Sequence, residues 1–259
     1  MPIITLTSDW SNYDYYVAAI KGQILGLCPD VTIVDISHSI QSFSISQAAY
    51  VVRHSFRNFP DGTIHIVAVN SETGPDKPPV LVRAMNHYFI GCDNGLFMLI
   101  IDNEPDEVIV LPERKKGNPT MTEIGIFALA ACEVVKGKPL KELGKIHPNL
   151  RRQVPILPTI DESVINGTVI YIDSFRNAMT NINDEIFDKI GKKRKFEIFI
   201  QSNHYRVNKI NNYYSESSIG ELLVLFNSVG LLEIAINNGN AADLLNLSVG
   251  SAVRIKFYS

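Results

Sequence analysis

The first half of the chain alternates between strand-like and helix-like spacing of apolar residues. Ile3-Ile4-Thr5-Leu6-Thr7 is a β-branched run, Tyr15 to Leu27 repeats apolar residues at helical spacing, and Val31 to Ile36 returns to a strand pattern. This β-α-β opening continues into a helical pattern from Ser46 to Phe56. Thr63 to Val69 then forms a continuous apolar stretch of the kind buried on both faces of a parallel sheet. Two shorter strands, Val80 to Ala84 and His87 to Gly91, precede a helix predicted from Glu123 to Val135 that stops near Gly137. The pattern predicts an α/β N-terminal domain over residues 1–150 with a mostly parallel sheet.

From Pro148 to Asp161 periodicity fades and Pro148, Pro155 and Pro158 accumulate, which reads as a linker. Beyond it Gly167 to Asp173, Phe196 to Gln201, Leu222 to Asn227, Leu231 to Ile236 and Ala252 to Phe257 are short strand patterns between turn residues. Residues 162–259 therefore predict a smaller, mainly β domain.

With 46% hydrophobic and 20% charged residues and a net charge of −3, the chain has the balance of an ordinary globular protein, which excludes disorder and a nucleic-acid-binding charge excess. The basic run from Gly191 to Lys195 then reads as a solvated turn. No uncharged apolar run approaches the roughly 18 residues of a membrane span, and the opening residues read as a strand, so a cytoplasmic protein is expected. Cys28, Cys92 and Cys132 stand singly in apolar stretches without metal-ligand spacing and are expected to be buried, reduced thiols.

The chain has no Gly-x-Gly-x-x-Gly, phosphate loop, Gly-x-Ser-x-Gly or His-Glu-x-x-His. Candidate chemistry lies instead in polar residues at the C-terminal ends of the predicted parallel strands, where open α/β sheets place ligands. These are Asp9 and Asp14, then Ser37 and His38, then Asn70, Ser71 and Thr73. Singly, each has a structural explanation. Asp9 and Asp14 flank a helix start and suit capping, His38 suits a hydrogen bond that orders a loop, and Asp93-Asn94-Gly95 and Asn237 to Asn240 suit turns.

Together they form an ordered series. Ser8-Asp9-Trp10 with Asp14 and Lys21-Gly22 is followed by Asp35-Ile36-Ser37-His38, Phe59-Pro60-x-Gly62-Thr63 and Asp93-Asn94-Gly95-Leu96. Next come Pro139-Leu140-x-x-Leu143-Gly144, Ile172-Asp173-x-Phe175-x-Asn177-x-x-Thr180-Asn181-Ile182 and Asn227-Ser228-x-Gly230-x-Leu232-x-Ile234-Ala235. The series resembles the S-adenosylmethionine (SAM) hydrolases, or hydroxide adenosyltransferases, which share their fold with fluorinases and chlorinases. The resemblance implies an α/β domain followed by a β-barrel-like domain, no cofactor and no metal, and SAM as a nucleoside substrate attacked at ribose C5′. It also implies a homotrimer with intersubunit sites, and gives no role to nucleic acid or membrane.

By position, Asp9 resembles the family carboxylate that accepts both ribose hydroxyls, and Asp14, Asp173 and Ser228 the residues around the methionine amine and carboxylate. Phe43 stands where the family packs an aromatic ring on the ribose, and Thr73 beside the reacting carbon. Asn177 resembles the reader of the adenine edge, within a motif that includes Phe175. Tyr213 or Tyr214 is a stacking ring, and Asn237-Asn238 lies near the same edge.

The departure lies at the catalytic group. Family hydrolases carry an Asp, an Arg seven residues on and a His in a Thr-Phe-His-Gly-Arg-Asp segment; the matching positions here are Asn70, Lys77 and Thr122, within Thr120-Met121-Thr122-Glu123-Ile124-Gly125. An amide is no proton acceptor at neutral pH, a lysine lacks the arginine fork, and a threonine is no base. Three readings follow. A hydrolase would position water by Asn70, Thr73 and Thr122 or deprotonate it with Glu72 or Glu123. A non-catalytic protein would bind SAM or adenosine. A halogenase is disfavoured by the short connection from Val80-Leu81-Val82-Arg83-Ala84 to His87-Tyr88-Phe89-Ile90, which lacks the fluorinase insertion, and by the charge of Glu123.

Overall fold

The computed structural model describes residues 1–101, 103–112, 121–202 and 205–258, which divide into two compact units, Met1–Val154 and Pro155–Ser259. Thr120 of the segment compared above lies outside the described residues. The first unit contains β1 (Ile3–Ser8), α1 (Tyr16–Leu27), β2 (Thr32–Ser37), α2 (Ile45–Ser55), β3 (Ile64–Ala68) and β4 (Pro79–Ala84). It continues with β5 (His87–Cys92), α3 (Phe97–Ile100), β6 (Glu107–Val110), α4 (Thr122–Val135) and β7 (Lys145–Ile146).

These strands form one sheet in the order β2-β1-β3-β5-β4-β6-β7. The first four run parallel, as the sequence predicts for β1, β2 and β3, and β4, β6 and β7 join antiparallel. The β4–β5 connection explains the change of direction. Met85 and Asn86 both take left-handed φ, 51° and 62°, the geometry of a two-residue hairpin turn. The sheet is therefore mixed.

Every residue of β3 is buried, because the strand serves two layers. Ile64, Ile66 and Ala68 share a core with Ile20 and Ile24 of α1 and Phe127 and Ala131 of α4. Val67 and Val69 share the other core with Ala48, Ala49 and Val52 of α2 and Phe97 and Ile100 of α3. Helix α4 is apolar around most of its circumference and buried to match, whereas α1 buries one face through Val17, Ile20 and Ile24. At Gly91 a Cβ would sit 2.6 Å from the Val67 carbonyl oxygen, so glycine permits the close approach of β5 to β3.

The cysteine expectation is corrected in part. Cys92 is a buried free thiol, but Cys28 and Cys132 form a disulfide across α1 and α4, with Cα atoms 5.8 Å apart. Helix packing brings together residues that lie 104 positions apart, which spacing along the chain does not reveal.

The second unit contains β8 (Thr159–Ile160), β9 (Val164–Ile172), β10 (Ala178–Asn183), α5 (Asp184–Gly191), β11 (Lys195–Ile200) and β12 (Tyr205–Val207). After these come β13 (Leu222–Phe226), β14 (Leu231–Ile236), α6 (Ala241–Leu244) and β15 (Ala252–Tyr258). The antiparallel order is β12-β11-β15-β9-β10-β14-β13, with β8 paired to β9. Asn211, just past β12, donates its N–H to the Val224 carbonyl of β13 at 2.8 Å and brings the two ends of the sheet together. The result is a nearly closed, barrel-like sheet around Ile165, Ile182, Ile198, Val224, Ile234 and Ile255.

Candidate active site

From β1 the chain passes through α1 to β2 on one side, then through α2 to β3 on the other. The C-terminal ends of β1 and β3 therefore flank a switch in strand order, the crevice where open α/β sheets hold ligands. Asp9 follows β1 and Asn70 follows β3. Asp9 Oδ2 accepts the N–H of Phe43 at 2.8 Å and of Asn70 at 3.1 Å, joining three loops on one carboxylate oxygen. Oδ1 has no partner among the described residues. Phe43 and Asn70 hold left-handed φ of 67° and 48°, and the Phe43 ring is 73% exposed. An aromatic in that conformation is a real outlier, and here a bond to Asp9 holds it.

The loop bearing Asp9 is anchored from below. The Ser8 hydroxyl and buried His38 Nδ1 lie 2.7 Å apart, and Ser11 N–H donates to the His38 carbonyl at 3.0 Å. Lys21 Nζ donates to Asp35 Oδ2 at 2.5 Å, and His38 Nε2 lies 3.1 Å from Asp35 Oδ1. His38 thus orders a loop, as the sequence predicts. On the other side Asn94 donates its NH2 to the carbonyls of Val69 at 3.0 Å and Asn70 at 3.3 Å. Asp93 accepts from Arg151 N–H at 2.8 Å and pairs with His147 Nε2 at 3.0 Å. The Asp93-Asn94-Gly95 turn is therefore a brace for Asn70.

Lys77 points at the same residue, its Nζ donating to Asn70 Oδ1 at 3.1 Å. Thr73 is half-buried in the intervening loop, and Thr122 is half-buried as the first residue of α4. Beside Thr122, Glu123 is only 4% exposed. Burial pushes its carboxyl above the usual glutamate value and the charge of Glu72 adds to this, while its own amide, Lys77 and the Ser71 hydroxyl pull the other way. Burial also pushes the Cys92 thiol up to about 12. That thiol donates to the Ser71 carbonyl at 2.9 Å and is no nucleophile. Asp14 is exposed, and no hydrogen bond among the described residues ties it to this cluster.

The second unit carries its own polar group. Asp173 Oδ1 accepts the N–H of buried Asn177 at 2.8 Å, closing the β9–β10 loop whose tip exposes Phe175. At that end of the barrel Ala242 N–H donates to the Arg176 carbonyl at 2.8 Å, which keeps the β14–α6 turn and exposed Asn238 on the same side. Ser228 is exposed in the β13–β14 turn at the opposite end of β14, where Asp184 N–H donates to the Gly230 carbonyl at 3.0 Å. A span of six strand residues, about 20 Å, separates these ends, so an elongated ligand is needed to touch both. Between them lies Glu233, 2% exposed, which accepts the Tyr214 hydroxyl at 2.6 Å. Burial raises its pKa, Tyr214 and Asn227 oppose the rise, and Asp173 adds to it. Tyr213 is 66% exposed beside this pair. Sequence reasoning did not select Glu233 for the site, although one carboxylate inside Leu-Leu-Glu-Ile-Ala-Ile was a signal.

A partly parallel sheet with a carboxylate at its switch point, followed by a small antiparallel barrel with a buried acid, defines a two-unit α/β and β-barrel class. Residues 4–144 match the family model of the SAM hydroxide adenosyltransferase N-terminal domain, and residues 167–254 that of the C-terminal domain. The chain belongs to the SAM hydroxide adenosyltransferase family. It is 29% identical over 276 residues to an (R)-S-adenosyl-L-methionine hydrolase of Methanocaldococcus jannaschii, covering 98% of this chain and 96% of the relative. A fluorinase of an Actinoplanes species is 25% identical over 291 residues, covering 98% and 97%. The solved structure of a conserved protein from Thermotoga maritima superposes with a TM-score of 0.88 at 25% identity, covering 98% of this chain and 99% of that one.

Proposed function

We propose that this chain hydrolyses SAM to adenosine and methionine, water attacking ribose C5′ in line with the departing sulfur. The observation that carries the reading is Asp9, whose Oδ2 is held by two backbone amides while Oδ1 stays open at the switch-point crevice. An acceptor-only group in that place suits a vicinal diol. Family membership and the hydrolase names of several relatives support the same reading. In it, Phe43 packs on the ribose and Thr73 lies beside C5′. Asn70, Lys77 and Thr122 line the water. Asp14, Asp173 and Ser228 meet the methionine part, and Asn177, Phe175, Tyr213 and Asn238 the adenine. The sulfonium leaves as a neutral thioether, so no general acid is required and the protein's work is alignment and water activation. The reading calls for no cofactor or metal, and includes a homotrimer acting in the cytoplasm.

A second reading is binding without turnover. It is favoured by Asn70, an amide already bonded to Lys77 where family hydrolases carry a carboxylate. Incubation with SAM, with and without chloride, followed by chromatography and calorimetry, separates the readings. Hydrolysis releases adenosine and methionine equally and independently of chloride. Binding without product refutes it, and a chloride-dependent halogenated nucleoside replaces it with halogenation.

A further inference from the structure

We infer that Glu123 accepts the proton of the attacking water in this chain, an inference that rests on the hydrolytic reading above. Lys77 offers only donors, so its contact with Asn70 Oδ1 at 3.1 Å fixes which way that amide faces. Asn70 is left with its NH2, which has no partner among the described residues. An NH2 can donate to a water oxygen but cannot take its proton. The acceptor therefore comes from another residue.

Two carboxylates act on the Lys77 neighbourhood. Glu72 is exposed on the loop between Asn70 and Lys77, whereas Glu123 is 4% exposed in the first turn of α4. Burying a carboxylate is costly, and Glu123 forms no ion pair among the described residues to offset it. The groups facing it are Ser71, Glu72 and Lys77 from the 70–77 loop and Cys92 from the end of β5. Lys77 and the N-terminal end of α4 favour its ionised form, while burial and Glu72 make that form more basic than an ordinary glutamate. Glu123 is thus a buried carboxylate against Ser71 and Lys77, the residues that follow Asn70 in the loop and bond its amide oxygen respectively. As the water oxygen bonds to C5′, the C5′–S electron pair leaves on sulfur, and the water proton passes to Glu123, which later returns it to solvent.

The test compares adenosine release against pH, and SAM affinity by calorimetry, in the wild type and in Glu123→Gln, Glu123→Asp and Glu72→Gln. Wild-type kcat should rise with pH along one limb centred above the ordinary glutamate value. Glu123→Gln should lose about 10²–10⁴-fold in kcat and the limb with it, while keeping SAM affinity. Glu123→Asp should recover part of the rate and the limb. Glu72→Gln should retain the limb and move it to lower pH, because the Glu72 charge helps raise Glu123. A Glu123→Gln enzyme with wild-type rate and limb overturns the assignment, as does a limb lost in Glu72→Gln instead, or SAM affinity lost in step with rate. Wild-type protein that binds SAM but releases no adenosine at any pH overturns the hydrolytic reading itself, and the role of Glu123 with it.

Discussion

Asp9→Ala tests whether the crevice carboxylate holds the ribose hydroxyls. Oδ2 carries two amide bonds and Oδ1 has no partner among the described residues, so a vicinal diol adds to the existing bonds without displacing them. A hydrogen bond to a charged group contributes about 1.5–3 kcal/mol, so two hydroxyls contribute about 3–6 kcal/mol, or roughly 10²–10⁴ in affinity. The variant also releases the amides of Phe43 and Asn70, which disturbs the loops whatever ligand is present. Calorimetric titration of both proteins with adenosine and with 2′,3′-dideoxyadenosine separates the two effects, because loop disturbance cancels in the ratio of affinities. The wild type should prefer adenosine by roughly 10²–10⁴, and Asp9→Ala should show little preference. Undiminished preference in the variant would falsify the contact, whatever the variant's overall affinity.

Asn70→Asp places a carboxylate beside Lys77, and adenosine release should rise or persist; a fall shows that the amide serves a different mechanism. At the other end of β3, buried His65 bonds Thr5 Oγ1 at 2.8 Å and His87 at 3.2 Å, and burial, then His87, pushes its pKa from 6.5 to about 3. The folded state therefore binds fewer protons than the unfolded one. Stability should be full above pH ~6.5 and fall by about 1.4 kcal/mol per unit as pH drops toward 3, His87 adding in the same direction. Urea titrations at pH 7 and 5 that agree would refute this. Reducing the Cys28–Cys132 bond, or Cys28→Ser, opens a loop spanning 104 positions and should cost about 2–4 kcal/mol, seen as a lower melting temperature; identical melting with and without reductant removes its stabilising role.

The elements most legible in the sequence were those with one strong period. β1, α1, β3 and α4 fall where the apolar spacing puts them, because each buries a continuous face. Helix α5 was not read, although Asn183 caps it by accepting the Ile186 N–H at 2.8 Å and Asp184 and Glu185 fill its first turn. Its eight residues are too few for spacing to speak, and its Phe187 is placed by contacts with Phe196, Phe226 and Phe257 from three separate strands. In the candidate site, Asp9 and Asn70 are legible as polar residues at strand ends and Lys77 from the resemblance to the family's catalytic group, but that one amide joins Lys77 to the Asp9 cluster is a fact of loop geometry. The disulfide and the Tyr214–Glu233 pair were hidden for a related reason: each joins segments that only packing makes neighbours.

The left-handed residues bonded to Asp9 explain what fixes the loops at the switch point. Phe43 and Asn70 each hold a φ that costs a non-glycine residue roughly 1–3 kcal/mol, so each needs a local reason to stay there. For Phe43 and Asn70 the reason is a backbone bond to Asp9, and for Asn70 also the Asn94 brace on its carbonyl. Met121 is where the chain turns into α4, which sets Glu123 in the first helical turn. The same contacts that hold these backbones also aim the open oxygen of Asp9 and the amide of Asn70. Under the proposed function, a ligand bound there would meet polar groups already oriented, so its binding energy would not be consumed in ordering them. Relaxing one of these backbones should therefore weaken adenosine and SAM alike, while a change in the proton acceptor alone should leave both affinities intact and slow only the chemical step.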